Sequence, residues 1–188
     1  MRIVAGTAGG RIIATPEGEA VRPTSERVRE AIFNSLFSHG LIDGANVLDL
    51  FAGSGALGLE ALSRGAERVT FVDFNRQSAD LVRANIELLG FGDRATVRQG
   101  DALDFLGRGG DFDLVLLDPP YAFDQWEQLI GAVTAPSIVV ESARSIDLAA
   151  PWRILKEKRY ASTVVTIAVR DIPEQKGEDS SDQEASRP

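Results

Sequence analysis

From residue 46 onward, short apolar runs alternate with segments whose apolar residues recur at helical spacing. Runs at 46–51, 68–72, 95–99, 112–118 and 137–141 read as strands, the fourth being the most apolar. Between them, 56–64, 75–89, 102–106 and 125–133 read as helices, with Ala79, Val82, Ile86 and Leu89 forming one apolar stripe. Strand–helix alternation predicts a parallel sheet with helices on both faces. The rhythm then changes. Residues 153–159 and 162–169 are two strand-like runs close enough to form an antiparallel hairpin at or near the sheet edge.

The first forty residues follow a different pattern. Arg2-Ile3-Val4-Ala5 and Arg11-Ile12-Ile13-Ala14 flank Gly6-Thr7-Ala8-Gly9-Gly10, which predicts a hairpin with a glycine turn. After Pro16, Thr24 is expected to cap a helix carrying Val28, Ala31, Ile32 and Leu36, and Gly40 to end it. The expected organisation is therefore an N-terminal extension over 1–40, an α/β domain over 41–170, and a tail over 171–188. The tail holds six acids against two bases and no aromatic residue, a composition that favours disorder.

Composition sets limits on the chemistry. The 188 residues contain no Cys and one His, His39, which excludes thiolate metal sites, disulfides and a Cys nucleophile. A His-based metal cluster or a Ser-His-Asp triad is equally disfavoured, and no metal is expected. No run approaches the roughly 18 apolar residues of a membrane helix and no leader is visible, so a cytoplasmic protein is expected. The net charge of −8 argues at first against a nucleic-acid partner. Half of it lies in the tail, however, while residues 2–29 hold five arginines against three glutamates. Arg11, Arg22, Arg27 and Arg29 are the candidate contacts to RNA phosphates; a solvated helix face with local ion pairs is the competing reading.

Between the first strand and its helix lies Asp49-Leu50-Phe51-Ala52-Gly53-Ser54-Gly55-Ala56-Leu57-Gly58. Glycines allow a sharp turn and close backbone approach to a ligand, and the helix start offers free N–H groups. Gly53, Gly55 and Gly58 fit a dinucleotide pattern that is weak alone. An acid at Asp49 is unfavourable beside a pyrophosphate but suits a cationic methionyl amine, which favours S-adenosylmethionine over a nicotinamide cofactor. Phe51, Ala52, Gly53, Ser54 and Gly55 would line that cofactor. Asp73 after the second strand is placed for ribose hydroxyls, and Asp101 with Ala102 after the third for the adenine. The plainer alternative for Asp73 and Asp101 is helix capping.

Asp118-Pro119-Pro120-Tyr121 ends the fourth strand, at the same carboxyl edge. Prolines fix φ and remove donors, so the Asp118 carboxylate and the Pro119 carbonyl can both accept from one exocyclic amino group. Tyr121 can stack on the base that carries it. Holding both amine hydrogens favours pyramidalisation of a delocalised nitrogen and aims its lone pair at an electrophilic methyl.

With these motifs, the chain resembles the RsmD family over residues 1 to about 169. The likeness rests on Arg11, Arg22-Pro23-Thr24, Arg27-Val28-Arg29-Glu30 with Phe33-Asn34, the run from Val47 to Gly55, the tetrapeptide, and Glu157-Lys158-Arg159-Tyr160. The resemblance implies a Rossmann-like class I methyltransferase fold. It also implies transfer of a methyl group from S-adenosylmethionine to a guanine N2 of 16S rRNA (guanine 966), in the small ribosomal subunit, by a monomer. A DNA adenine-N6 methyltransferase shares the tetrapeptide, but no added recognition domain is visible. A non-catalytic RNA-binding module would leave both the glycine loop and the tetrapeptide without purpose. The chain departs from the family in carrying Asp73 where Glu is frequent, and Ala135-Pro136-Ser137 where a Pro-Gly-Gly turn is usual.

Overall fold

The computed structural model describes residues 1–16 and 25–171. The expected cap Thr24, the candidate Arg22 and the tail from 172 onward lie outside the described residues. Seven strands form one sheet: β1 (Asn46–Leu50), β2 (Arg68–Asp73), β3 (Ala95–Gln99), β4 (Leu114–Leu117), β5 (Ser137–Ser142), β6 (Trp152–Tyr160) and β7 (Thr163–Arg170). Their order is β3-β2-β1-β4-β5-β7-β6. The first five are parallel, β7 is antiparallel to β5, and β6 is antiparallel to β7. This is the Rossmann-like sheet with a closing hairpin. Because β6 reverses β7, it runs in the direction of β1–β5, and its Tyr160 end lies at the carboxyl edge.

Among the described residues, five α-helices cover the sheet: α1 (Glu26–Ser38), α2 (Ala56–Ser63), α3 (Arg76–Leu89), α4 (Ala102–Gly107) and α5 (Trp126–Ala132). The two-residue period of the strands sends alternate side chains to opposite faces. Val47, Phe71, Leu116, Val139 and Val165 meet α1, α2 and α3 in one core. Leu48, Leu50, Leu117 and Val140 meet α4 and α5 in the other. No helix among the described residues is long and apolar enough to cross a membrane.

The N-terminal segment packs into the first core through Ile3, Ala8 and Ile13. Its expected hairpin is narrow, with one bridge, Arg2 to Ile12, flanked by the Ile3 N–H to the Arg11 carbonyl at 2.9 Å. The glycine turn presses onto α2. A Cβ on Gly6 would sit 1.8 Å from the Ser63 carbonyl oxygen, and Gly6 has φ +82°. Only glycine satisfies both demands. The N-cap of α1 is Ser25, whose side chain accepts from the Val28 N–H, one residue later than the sequence led us to expect.

Candidate active site

The acids singled out in the sequence stand toward the carboxyl edge because each lies in the last residues of a parallel strand or just beyond it, the buried β1 and β4 carrying Asp49 and Asp118. Asp49 lies in β1 between Phe71 of β2 and Leu116 of β4. By strand parity it shares the face of Val47, toward α2. It is 1 % exposed, and its Oδ2 accepts from the Gly58 N–H at 2.9 Å. Burial pushes its carboxyl well above the ordinary carboxylate range. The Gly58 bond opposes that shift, and the charges of Asp118 and Asp73 reinforce it.

The loop after β1 turns through left-handed conformations at Phe51 (φ +61°), Gly53 (φ +56°) and Gly55 (φ +80°). For Phe51 this is a strained state of about 1–3 kcal/mol that the surroundings must hold. Its ring meets Phe123 edge-on at 5.4 Å, and Phe123 meets Trp126 at 5.3 Å. This aromatic chain ties the glycine loop to the segment following the tetrapeptide. The sequence reading did not assign Phe123 and Trp126, whose only signal is their nearness to the motif. Ala52 donates to the Val72 carbonyl at 3.1 Å, locking the loop to the end of β2.

Asp73 is half-buried. Its Oδ2 accepts from the Gly53 N–H at 2.8 Å, and its Oδ1 from the Asn75 N–H at 2.8 Å. It is not the cap of α3; Asn75 is. Asp101 is the N-cap of α4, with Oδ1 accepting from the Leu103 and Asp104 N–H groups at 2.8 and 3.0 Å. Its Oδ2 accepts no hydrogen bond among the described residues. The capping expected as the plainer alternative is therefore present, and it occupies one oxygen of the carboxylate. Ala102 beside it is buried.

Asp118 is half-buried just beyond β4, near enough to Asp49 for its charge to act on that carboxyl, as the charge of Asp73 does from β2. Pro119 is buried and Pro120 exposed. The Pro120 carbonyl accepts from the Phe123 N–H at 2.8 Å, closing a turn, whereas no backbone bond among the described residues ends on the Pro119 carbonyl. Tyr121 is 59 % exposed, an open ring beside the acceptors.

A further residue joins these parts. Asn85 of α3 is buried, accepts from the Ala14 N–H at 2.9 Å, and donates to the Ala14 and Ser54 carbonyls at 3.0 and 2.9 Å. One side chain thus holds both the N-terminal segment and the glycine loop. Its signal in the sequence is an amide lying between Val82 and Ile86 on the apolar side of α3, where a polar group needs internal partners.

The arginines divide sharply. Arg27 is exposed on α1. The Arg11 guanidinium sits on the last carbonyls of α3, donating to Leu89 at 3.0 Å and to Leu88. Arg29 is a correction: it is fully buried, so it does not reach an RNA phosphate. Its Nε stands 3.5 Å from Glu60 Oε2, and Nη2 donates to the Arg2 carbonyl. Glu60 also accepts from Arg64 at 2.6 Å and from the Val4 and Ala5 N–H groups at 2.8 and 3.1 Å. Arg29 belongs to the joint that seats the N-terminal segment on α2.

Comparison with known proteins agrees with this geometry. Ribosomal RNA small subunit methyltransferase D of Haemophilus influenzae is 38% identical over 171 residues, covering 84% of this chain and 88% of that protein. The putative rRNA methyltransferase YlbH of Bacillus subtilis is 36% identical over 159 residues, covering 79% and 85%. The solved structure of the putative methyltransferase yhhF from Escherichia coli matches with a TM-score of 0.81 at 35% identity, over 91% of this chain and 98% of that one. Magnesium protoporphyrin IX methyltransferase from Synechocystis, solved with bound SAM, shares the fold at a TM-score of 0.64 and 17% identity. The family model described as Conserved hypothetical protein 95 matches residues 1–169, and the chain belongs to that family, the RsmD family whose motifs it carries.

Proposed function

We propose that this protein is an S-adenosylmethionine-dependent methyltransferase acting on the exocyclic N2 amino group of a guanine in 16S rRNA. The observation that carries this reading is the convergence of Asp49, Asp73 and Asp118 on one sheet face at the carboxyl edge. There burial first, and the charges of Asp118 and Asp73 after it, press Asp49 toward its neutral form. A buried carboxyl flanked by two further acids beside a glycine loop calls for a ligand that brings positive charge and hydroxyl donors. S-adenosylmethionine has both, and when bound it supplies an electrophilic sulfonium methyl.

The chain's own residues do the positioning. Asp49 holds the cationic amine, and the Asp73 and Asp101 oxygens receive ribose and adenine donors, with Phe51 to Gly55 and Ala102 lining the site. Asp118 and the Pro119 carbonyl accept the two hydrogens of the guanine amine, Pro120 fixes the turn, and the exposed Tyr121 stacks on the base. Methyl transfer would form one N–C bond as the sulfonium S–C bond breaks, releasing a neutral thioether and one proton from the nitrogen, which the Asp118 carboxylate would be placed to accept. Arg27, Arg22 and Arg11 serve RNA phosphates. We place this activity in the cytoplasm, on small ribosomal subunits, with the protein acting as a monomer.

The test offers purified protein and labelled cofactor unmethylated small subunits, free rRNA and DNA, and identifies the labelled nucleoside. Asp118→Ala is expected to bind cofactor as the parent does and to transfer no methyl group. Label in N6-methyladenine, or parental turnover by the variant, overturns the reading.

A further inference from the structure

The motif Glu157-Lys158-Arg159-Tyr160 takes no part in the chemistry above, and its position in the sheet gives it one. Leu117 pairs with Val140, Val140 with Thr166, and Thr166 with Glu157. The next row, one residue toward the carboxyl edge, therefore runs Asp118, Glu141, Val165, Lys158. Val165 faces the core of α1–α3, so Lys158 lies on the same sheet face as Asp118. Three strand spacings separate their backbones, about 14 Å. Arg159 is one row further out, where its side chain leaves the opposite face of the strand at the rim of the sheet, and Arg144 follows β5 on the adjoining loop.

All three cations are exposed, and none forms an ion pair with any described residue. The Lys158 ammonium is held over the Tyr160 ring at 5.3 Å. Arg159 donates to the Ala143 carbonyl at 3.4 Å, bringing the Arg144 loop against β6. The acids nearby are Glu157, Asp147 and, in the row of Lys158 itself, the buried Glu141 and the half-buried Asp118. The Glu157 Oε2 accepts from Ser145 at 2.6 Å and from Thr166 at 3.1 Å, and Asp147 is exposed. At the opposite end of β6, Arg153 is paired with Asp171 at 2.9 Å. Lys156, half-buried at mid-strand, also forms no ion pair among the described residues, and the exposed unpaired cations of this edge strand, Lys158 and Arg159, stand at the end where the site opens.

Taking the RNA-methyltransferase reading as its basis, we propose that Lys158 and Arg159, with Arg144, bind the phosphodiester backbone of the RNA flanking the target base. They do so on the side of the site away from the glycine loop. A base drawn out to Asp118 leaves its flanking backbone running past the rim of the sheet, where these cations receive its phosphates. Basic side chains on edge strands also deter strand pairing. That duty does not require their concentration at the carboxyl end.

The experiment compares the full chain with its Lys158→Gln/Arg159→Gln double variant on unmethylated small subunits, across a series of salt concentrations. The KM for subunits is expected to rise about tenfold, and the slope of log KM against log salt to fall by about one per lost phosphate contact. Saturating turnover, cofactor affinity and melting temperature are expected to stay at parental values, and Lys158→Arg/Arg159→Lys to restore KM. A parental KM and slope in the Gln variant would overturn the assignment. So would a variant whose sole change is self-association with parental KM in its monomeric fraction. Failure of the parent itself to methylate RNA sinks the underlying reading, which separates the two.

Discussion

Replacing Arg29 by Met separates a structural arginine from an RNA-binding one. The native guanidinium is fully buried, 3.5 Å from Glu60, with a hydrogen bond to the Arg2 carbonyl. Breaking a buried ion pair costs about 3–5 kcal/mol when the partner charge is stranded. Here Glu60 keeps Arg64 at 2.6 Å and two backbone N–H donors. Methionine also refills much of the arginine stem. Both facts bring the expected loss down to about 2–3 kcal/mol, chiefly the orphaned Arg2 carbonyl and the weakened Glu60 site. For a chain of this size that lowers Tm by about 5–10 °C. The assay is thermal unfolding at low and high salt, paired with methyl transfer to small subunits well below the variant's Tm. The expected result is a lowered Tm and a parental salt dependence of KM. An unchanged Tm, together with a salt-steep loss of RNA binding, would refute the structural assignment and return Arg29 to the RNA interface.

Asp49→Asn is expected to abolish cofactor binding in calorimetry while stabilising the fold at neutral pH. The folded-state pKa of Asp49 is raised, so its stabilising contribution is full below the ordinary carboxylate pKa and lost as pH rises through the raised value. The Tm advantage of the variant should therefore appear on going from acid toward neutral pH, and a pH-independent difference would contradict it. In Gly58→Ala, a Cβ placed 2.3 Å from Phe71 Cε1 and 2.9 Å from Asp49 Oδ2 costs about 1–3 kcal/mol of overpacking. That exceeds the gain of up to about 1 kcal/mol in helix propensity, so Tm should fall and cofactor affinity with it. Asn85→Leu removes three hydrogen bonds at about 1 kcal/mol each, and hydrogen exchange should speed up at Ala14 while cofactor affinity drops.

The strand–helix rhythm, the parallel order and the placing of three acids at one edge were legible because they follow from local patterns. Period-two and period-3.6 spacing identify strands and helices, and a strand end fixes where the next residue must lie. What was not legible depends on distant partners. Arg29 looked solvent-facing among arginines, although it stands three, four and seven residues before Ile32, Phe33 and Leu36 and so falls on their stripe. Its partner Glu60 is on another helix, and nothing local announces the pairing. Asn85 acquires meaning only when Ala14 and Ser54 arrive beside it. The shift of the cap from Thr24 to Ser25 is of another kind, since both residue types satisfy the same N–H groups and neighbouring geometry chooses between them.

The seating of the N-terminal segment on α2 and α3 sets an order of assembly. Val4, Ala5 and Ala8 bond to residues 55 or 56 positions later, and Ala14 to one 71 positions later. The first residues to leave a ribosome must therefore wait for partners made roughly 3–14 s afterwards, at about 5–20 residues per second. Closure of such long loops is slow relative to local pairing, whereas the β6–β7 hairpin joins neighbours across a short turn. The N-terminal platform thus docks only after α2 and α3 have been made. During synthesis the glycine loop, whose Ser54 carbonyl shares Asn85 with that platform, reaches its final form only when the chain's beginning has folded back onto its middle.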